Sequence, residues 1–190
     1  MTPEIYLVKV DSPIDENTFQ YLLKFVQARK QERILKQKIK QNADNMLVGE
    51  ILAKIIIKKT FGIDIAKQIF HYTGYGKPYL INSPNVHFNI SHSGEYVACA
   101  VSNKHIGVDI QKIGEYNPDV ARRVCNEQEL KQIEDSSDKA SEFTKFWTQK
   151  EAILKMYGIG IADFEIKNCL NNQMVKNVKF YDYWLSCVSY

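Results

Sequence analysis

The stretch that decides the fold reads Val86-His87-Phe88-Asn89-Ile90-Ser91-His92-Ser93-Gly94-Glu95-Tyr96-Val97-Ala98-Cys99-Ala100-Val101, followed shortly by Ile106-Gly107-Val108-Asp109-Ile110. Val86–Ser91 and Tyr96–Val101 are rich in β-branched and aromatic residues. Between them His92-Ser93-Gly94-Glu95 has turn chemistry, so the pair reads as a β-hairpin with a third strand close behind. Upstream, residues 15–40 carry Phe19, Leu22, Leu23 and Val26 at helical spacing. Residues 44–61 repeat the pattern and stop at Gly62. Downstream, 118–134 and 138–157 read as helices. Ile5–Val10 reads as an opening strand, and the aromatic, alternating stretch 164–190 as closing strands. The order strand, helices, strands, helices, strands predicts an α+β protein. It has two halves, 1–105 and 106–190, each too small to be an independent domain.

At 190 residues the chain is long enough to bury a core without disulfides. Its formal net charge of +3 is too small to argue by itself for nucleic acid or membrane binding. The charge is unevenly spread. Residues 21–60 hold ten Lys/Arg against three Asp/Glu, and residues 107–142 hold nine Asp/Glu against five Lys/Arg. The first segment suits an anion and the second a cation; two solvated helical surfaces would look the same. The start MTPEIYLVKV lacks the basic and apolar regions of a signal peptide. The apolar run Ile51–Ile57 is broken by Lys54 and falls short of a membrane span. Cys99, Cys125, Cys169 and Cys187 form no C-x-x-C pair. Reduced thiols in a cytoplasmic protein are expected.

Three constellations carry possible chemistry. In Gly107-Val108-Asp109-Ile110-Gln111, alternate residues of a strand share a face, so Asp109 and Gln111 point together. A carboxylate in an apolar strand needs a partner, and a hard cation or a capped turn would each serve. In Trp147-Thr148-Gln149-Lys150-Glu151-Ala152-Ile153-Leu154-Lys155, the residues Trp147, Glu151 and Lys155 recur every four on one helix face. Phe143, Phe146 and Trp147 anchor that helix in a core, which sets the charged pair beside a cleft. Phe88-Asn89-Ile90-Ser91-His92-Ser93-Gly94 could cradle a phosphate or simply turn a hairpin. There is no P-loop, no G-x-G-x-x-G and no G-x-S-x-G.

Together with Gly76-Lys77-Pro78, these segments occur in an order that resembles the 4′-phosphopantetheinyl transferases of the surfactin-synthetase-activating type, over nearly the whole chain. The resemblance implies a pseudo-dimer of two similar α+β halves with coenzyme A and Mg²⁺ in the cleft between them. It implies transfer of the phosphopantetheine arm to a serine of an apo acyl or peptidyl carrier protein, with release of adenosine 3′,5′-bisphosphate. By that resemblance Asp109, Gln111 and Glu151 hold the metal, and Glu151 also serves as the base. Lys155 contacts the pyrophosphate, and Ser91 and His92 contact phosphate. Gly76, Lys77 and Pro78 form the adenine-side loop, and Lys30 and Arg33 bind the 3′-phosphate. The chain departs from its relatives at Gln111, where many have Glu, and at Asn45, where many have Arg; Lys36 or Lys40 could supply that missing charge. Glu129 matches a further acidic position. The implied partners are coenzyme A and the carrier protein, with no nucleic acid and no membrane, and the pseudo-dimer suggests a monomer. A non-catalytic module of the same fold that holds coenzyme A or a carrier protein is the competing reading. A nucleic-acid-binding protein using the basic segment is a distant third.

Overall fold

The computed structural model describes residues 2–160, 166–170 and 174–190. Strand β1 (Glu4–Lys9) is followed by helices α1 (Glu16–Leu23), α2 (Ala28–Leu35) and α3 (Lys40–Phe61). A short hairpin, β2 (Phe70–Tyr72) and β3 (Pro78–Leu80), leads into β4 (His87–Ser93), β5 (Tyr96–Ser102) and β6 (Ile106–Lys112). Then come α4 (Pro118–Val124), α5 (Glu127–Asp135), α6 (Lys139–Tyr157), β7 (Lys176–Phe180) and β8 (Tyr183–Ser189). The protein is thus a mixed helix and sheet fold, as expected. The closing strands occupy only the end of 164–190: Ile166–Asn168 is a 3-10 turn, and Phe164 and Glu165 lie outside the described residues.

The two helical stretches that the periodicity drew as continuous are each broken. Between α1 and α2, the Gln31 amide donates to the carbonyls of Leu23 and Val26, closing off the first helix from the side. Between α4 and α5, Asn126 starts a new helix: its side chain accepts from the Glu129 N–H while Glu129 returns a carboxylate to the Asn126 N–H.

β1, β5 and β4 form an antiparallel sheet in the order β1-β5-β4, and β6, β8 and β7 form another in the order β6-β8-β7. In each, the strand formed last in sequence lies in the middle. β5 is buried along its whole length, which explains its unbroken apolar reading. Its Cys99 and Val101 face α3, in a core with Ala53, Ile56, Ile57 and Phe88. Its Tyr96, Ala98 and Ala100 face Ile106, Val108, Ile110, Tyr183 and Cys187 of the other sheet. Small residues at 98 and 100 let the two sheets share one core. On the far side of the second sheet, α6 adds Phe146, Ala152, Ile153, Leu154 and Met156.

β4 and β6 are joined by side chains instead of a backbone ladder. Asn89 Oδ1 accepts from the Val108 N–H at 2.9 Å, Ser91 Oγ from Ile110 at 3.2 Å and Ser93 Oγ from Lys112 at 3.0 Å. Alternate residues of one strand thereby satisfy alternate N–H groups of the next. This seam fixes the two sheets relative to each other at the place where the candidate site lies.

Candidate active site

Asp109 is 4% exposed, an uncommon position for a carboxylate, and its surroundings explain it. The Lys155 ammonium reaches Asp109 Oδ1 at 2.5 Å, and the Ser91 hydroxyl donates to the same oxygen at 2.7 Å. Lys155 also donates to Ser91 Oγ at 2.8 Å. Three elements meet here: β4, β6 and α6. The approach of α6 depends on Gly107. A Cβ there would sit 1.9 Å from the Ala152 carbonyl oxygen and 2.5 Å from the Met156 nitrogen. The helix therefore rests on bare backbone, and Lys155 can reach a strand residue two positions beyond that glycine.

Glu151, half-buried and one turn before Lys155, faces the same region. Burial pushes its carboxyl above the usual range, the nearby Asp109 charge pushes it further, and Lys155 pulls it back. Two carboxylates are thus close enough to repel. Asp109 Oδ2 is buried without a hydrogen-bond partner. An orphaned buried oxygen beside a second acid is the chemistry of a hard-cation site, so these residues fit Mg²⁺. Gln111 follows Asp109 on the same face of β6, half-buried. It lines a cavity of about 290 Å³ with Glu115, Val120, Phe143 and Trp147. Among the described residues no three His, Cys, Asp or Glu side chains converge, so the acids here number two.

A second cavity, about 310 Å³, is lined by Arg29, Lys30, Arg33, Tyr72, Thr73, Gly74, Tyr75 and Gly76. Lys30 is held by the buried Glu50 carboxylate at 3.1 Å, and Tyr72 donates to the other oxygen of Glu50 at 2.9 Å. Three cationic side chains around one polar hollow make a receptor for an anion. His92 lies within electrostatic reach of Lys30 at this hollow and of Lys155 and Asp109 in the carboxylate cluster. Its ring reaches solvent, but protein packed around it lowers its pKa, and the positive charges of Lys155 and Lys30 lower it further. Lys77 behaves differently. Its amine donates to the carbonyls of Met156 at 2.6 Å and Ile106 at 3.2 Å, stapling the β2–β3 hairpin to the second half. Pro78 lines a separate apolar cavity with Phe88, His87, His105 and Met156.

Three side chains have structural roles that the sequence left open. Glu129 pairs with Lys150, whose side chain is completely buried. Asn45 is buried and donates to the Gly94 carbonyl at 2.8 Å, so it anchors the β4–β5 turn. Lys40 is paired with the buried Asp44. Sequence reasoning missed Arg29 and Tyr72 as lining residues, and Glu50 as the partner of Lys30. The i, i+4 spacing of Arg29 and Arg33 was the available signal for Arg29. Nothing marked Glu50, an acid in the middle of the long helix α3, as a partner for Lys30.

Two family models match the chain. The N-terminal 4′-phosphopantetheinyl transferase model matches residues 12–104, and the 4′-phosphopantetheinyl transferase superfamily model matches residues 105–184. The chain belongs to the 4′-phosphopantetheinyl transferases. More particularly, it is similar to the surfactin-activating group of these enzymes. A Bacillus subtilis 4′-phosphopantetheinyl transferase is 34% identical over 84% of this chain and 72% of its own length. The Sfp transferase of Bacillus subtilis strain 168 is 29% identical over the same shares. The gsp transferase of Aneurinibacillus migulanus is 33% identical over 83% of this chain and 67% of its own. Among the described residues, no helix is long and apolar enough to cross a membrane.

Proposed function

We propose that the protein transfers the 4′-phosphopantetheine arm of coenzyme A to a serine of an apo acyl or peptidyl carrier protein and releases adenosine 3′,5′-bisphosphate. The observation that carries this reading is the meeting of Asp109, Glu151 and Lys155, with an unpartnered carboxylate oxygen at its centre. The shared strand order of the two sheets supports reading 1–105 and 106–190 as the halves of a pseudo-dimer with the reaction in the cleft. Since one chain supplies both walls, we propose a monomer, acting in the cytoplasm without nucleic acid or membrane.

Asp109 and Glu151 would hold Mg²⁺, with the Gln111 amide oxygen as a neutral third donor. When bound, the ion supplies charge neutralisation to the pyrophosphate. Lys155 adds a positive charge one helical turn from Glu151, on the same side. The carrier serine oxygen forms a bond to the β-phosphorus as the bond from that phosphorus to the bridging oxygen breaks. The electron pair leaves on adenosine 3′,5′-bisphosphate, and the serine proton passes to Glu151. The Arg29, Lys30 and Arg33 hollow holds the 3′-phosphate, His92 contacts phosphate between the two sites, and the Gly76-Lys77-Pro78 segment borders the adenine.

The test is direct. The protein is incubated with coenzyme A, Mg²⁺ and a panel of apo carrier proteins, and the carriers are weighed by mass spectrometry. Addition of the arm to one or more carriers is expected. No addition to any fatty-acid, polyketide or peptide carrier would overturn the reading.

A further inference from the structure

We propose that Ser91 is a positioning residue for the transfer: its single hydroxyl holds the Asp109 carboxylate and the Lys155 ammonium in register from the opposite half of the chain. The inference rests on the function proposed above and assigns Ser91 a different task from the phosphate contact that family resemblance implies. A serine hydroxyl has one hydrogen to donate and room to accept two. Here all three places are used. The hydrogen goes to Asp109 Oδ1 at 2.7 Å, while the N–H of Ile110 at 3.2 Å and the ammonium of Lys155 at 2.8 Å are accepted. Ser91 is 4% exposed, so solvent does not compete for these places. No hydrogen remains for a phosphate oxygen.

The three bonds do different things. The one from Ile110 locks β6, and with it the backbone of Asp109, against β4. The one to Asp109 Oδ1 turns the carboxylate so that Oδ2 is left without a protein partner. The one from Lys155 sets the ammonium where it meets both Ser91 and Asp109. The neighbouring seam residues Asn89 and Ser93 perform only the first of these tasks, for Val108 and Lys112. Ser93 is therefore an internal control for loss of a seam bond alone.

The experiment compares Ser91→Thr with Ser91→Val, which have the same shape and differ in the hydroxyl, alongside Ser91→Ala and Ser93→Ala. Steady-state transfer gives kcat and KM for coenzyme A. An equilibrium Mn²⁺ titration without coenzyme A gives a readout independent of turnover. Partners that orient metal ligands are commonly worth about 10–100-fold in metal affinity or activity. Ser91→Val and Ser91→Ala should lower kcat about 10–100-fold, with KM for coenzyme A within roughly threefold, and should weaken Mn²⁺ binding about tenfold. Ser91→Thr should recover most of both, and Ser93→Ala should change neither beyond roughly threefold. A raised KM at unchanged kcat would make Ser91 a phosphate contact and overturn the proposal. So would equal losses in the Thr and Val variants, or Mn²⁺ affinity unchanged in Ser91→Val. A wild-type chain that transfers no arm sinks the functional reading alone, because the Mn²⁺ titration still compares the variants.

Discussion

Lys150 and Glu129 form an ion pair of 2.9 Å in which the lysine side chain is wholly buried. The same ammonium donates to the carbonyls of Ile166 and Lys167, so it has three oxygen partners. Lys150 adjoins Glu151 in sequence but points to a different side of α6, toward α5 and the carbonyls of residues 166 and 167. Lys150→Met leaves Glu129 buried and unpaired, and removing one partner of such a pair costs about 3–5 kcal/mol. Urea unfolding should show that loss. Adding Glu129→Gln, which preserves the side-chain cap on the Asn126 N–H, should recover roughly half of it. Equal stability of wild type and Lys150→Met would mean that the pair contributes nothing.

Gly107→Ala inserts a methyl into space already filled by the Ala152 carbonyl and the Met156 nitrogen. Both obstacles are backbone, which cannot swing aside as a side chain can. The helix must shift, and overpacking of this kind costs about 1–3 kcal/mol or more. Since Lys155 and Glu151 ride on that helix, transfer activity should fall by more than the stability loss explains. Full activity in a folded Gly107→Ala variant would contradict the close approach.

Asp109→Ala and Glu151→Ala should each abolish arm transfer while the circular dichroism spectrum stays that of a folded chain. The reading of the acid pair fails if the carrier gains the arm at the wild-type rate with either variant. Gln111→Glu should be tolerated and sharpen the Mg²⁺ dependence, because it adds a negative charge to the strand face that already carries Asp109. An unchanged Mg²⁺ titration would remove position 111 from the ligand set.

Arg33→Ala should raise KM for coenzyme A about tenfold or more, since one charge-assisted hydrogen bond is worth about 1.5–3 kcal/mol. The more informative substrate is 3′-dephospho-coenzyme A, for which the same variant should behave as wild type. Equal penalties on both substrates would place the 3′-phosphate elsewhere.

All four cysteines are buried and free. Burial raises the Cys99 thiol furthest, holds Cys125 at about 12, and holds Cys169 and Cys187 at about 11. At pH 8 their thiolate fractions lie below that of an ordinary thiol, and thiolate is the reactive form. The native chain should resist a thiol reagent at pH 8, and four equivalents should react once it is unfolded. Rapid labelling of a native thiol would show that the core around that cysteine opens locally.

The central hairpin, the third strand and the α6 face were legible in the sequence because each rests on local periodicity. Glu151 and Lys155 are four apart on one helix, and Asp109 interrupts an apolar strand. Boundaries set by side chains were not legible. Gln31 ends α1 through carbonyls five and eight residues back, and periodicity does not register such a contact. The Asn126–Glu129 capping box was readable, but the apolar spacing ran through it and carried the helix past its true start. Long-range pairings were hidden for a different reason. Lys30 with Glu50 and Lys77 with Met156 are brought together by the fold, and either lysine looks like a solvated charge in the linear chain.

The Asn89, Ser91 and Ser93 seam has a consequence for solubility. β4 and β6 are each the terminal strand of their own sheet. An open strand margin with free N–H groups is a template for pairing with other chains, and proteins must blunt it. Here the two margins blunt each other. Three N–H groups of β6 are already bonded to β4 side chains, so neither margin is free to recruit a foreign strand, and no continuous six-stranded sheet is needed to achieve this. The exposure to self-association moves outward to β1, where Ile5 and Leu7 are each 40% exposed. At the opposite margin, β7 carries Lys176 and Lys179, charges of the kind that discourage strand addition.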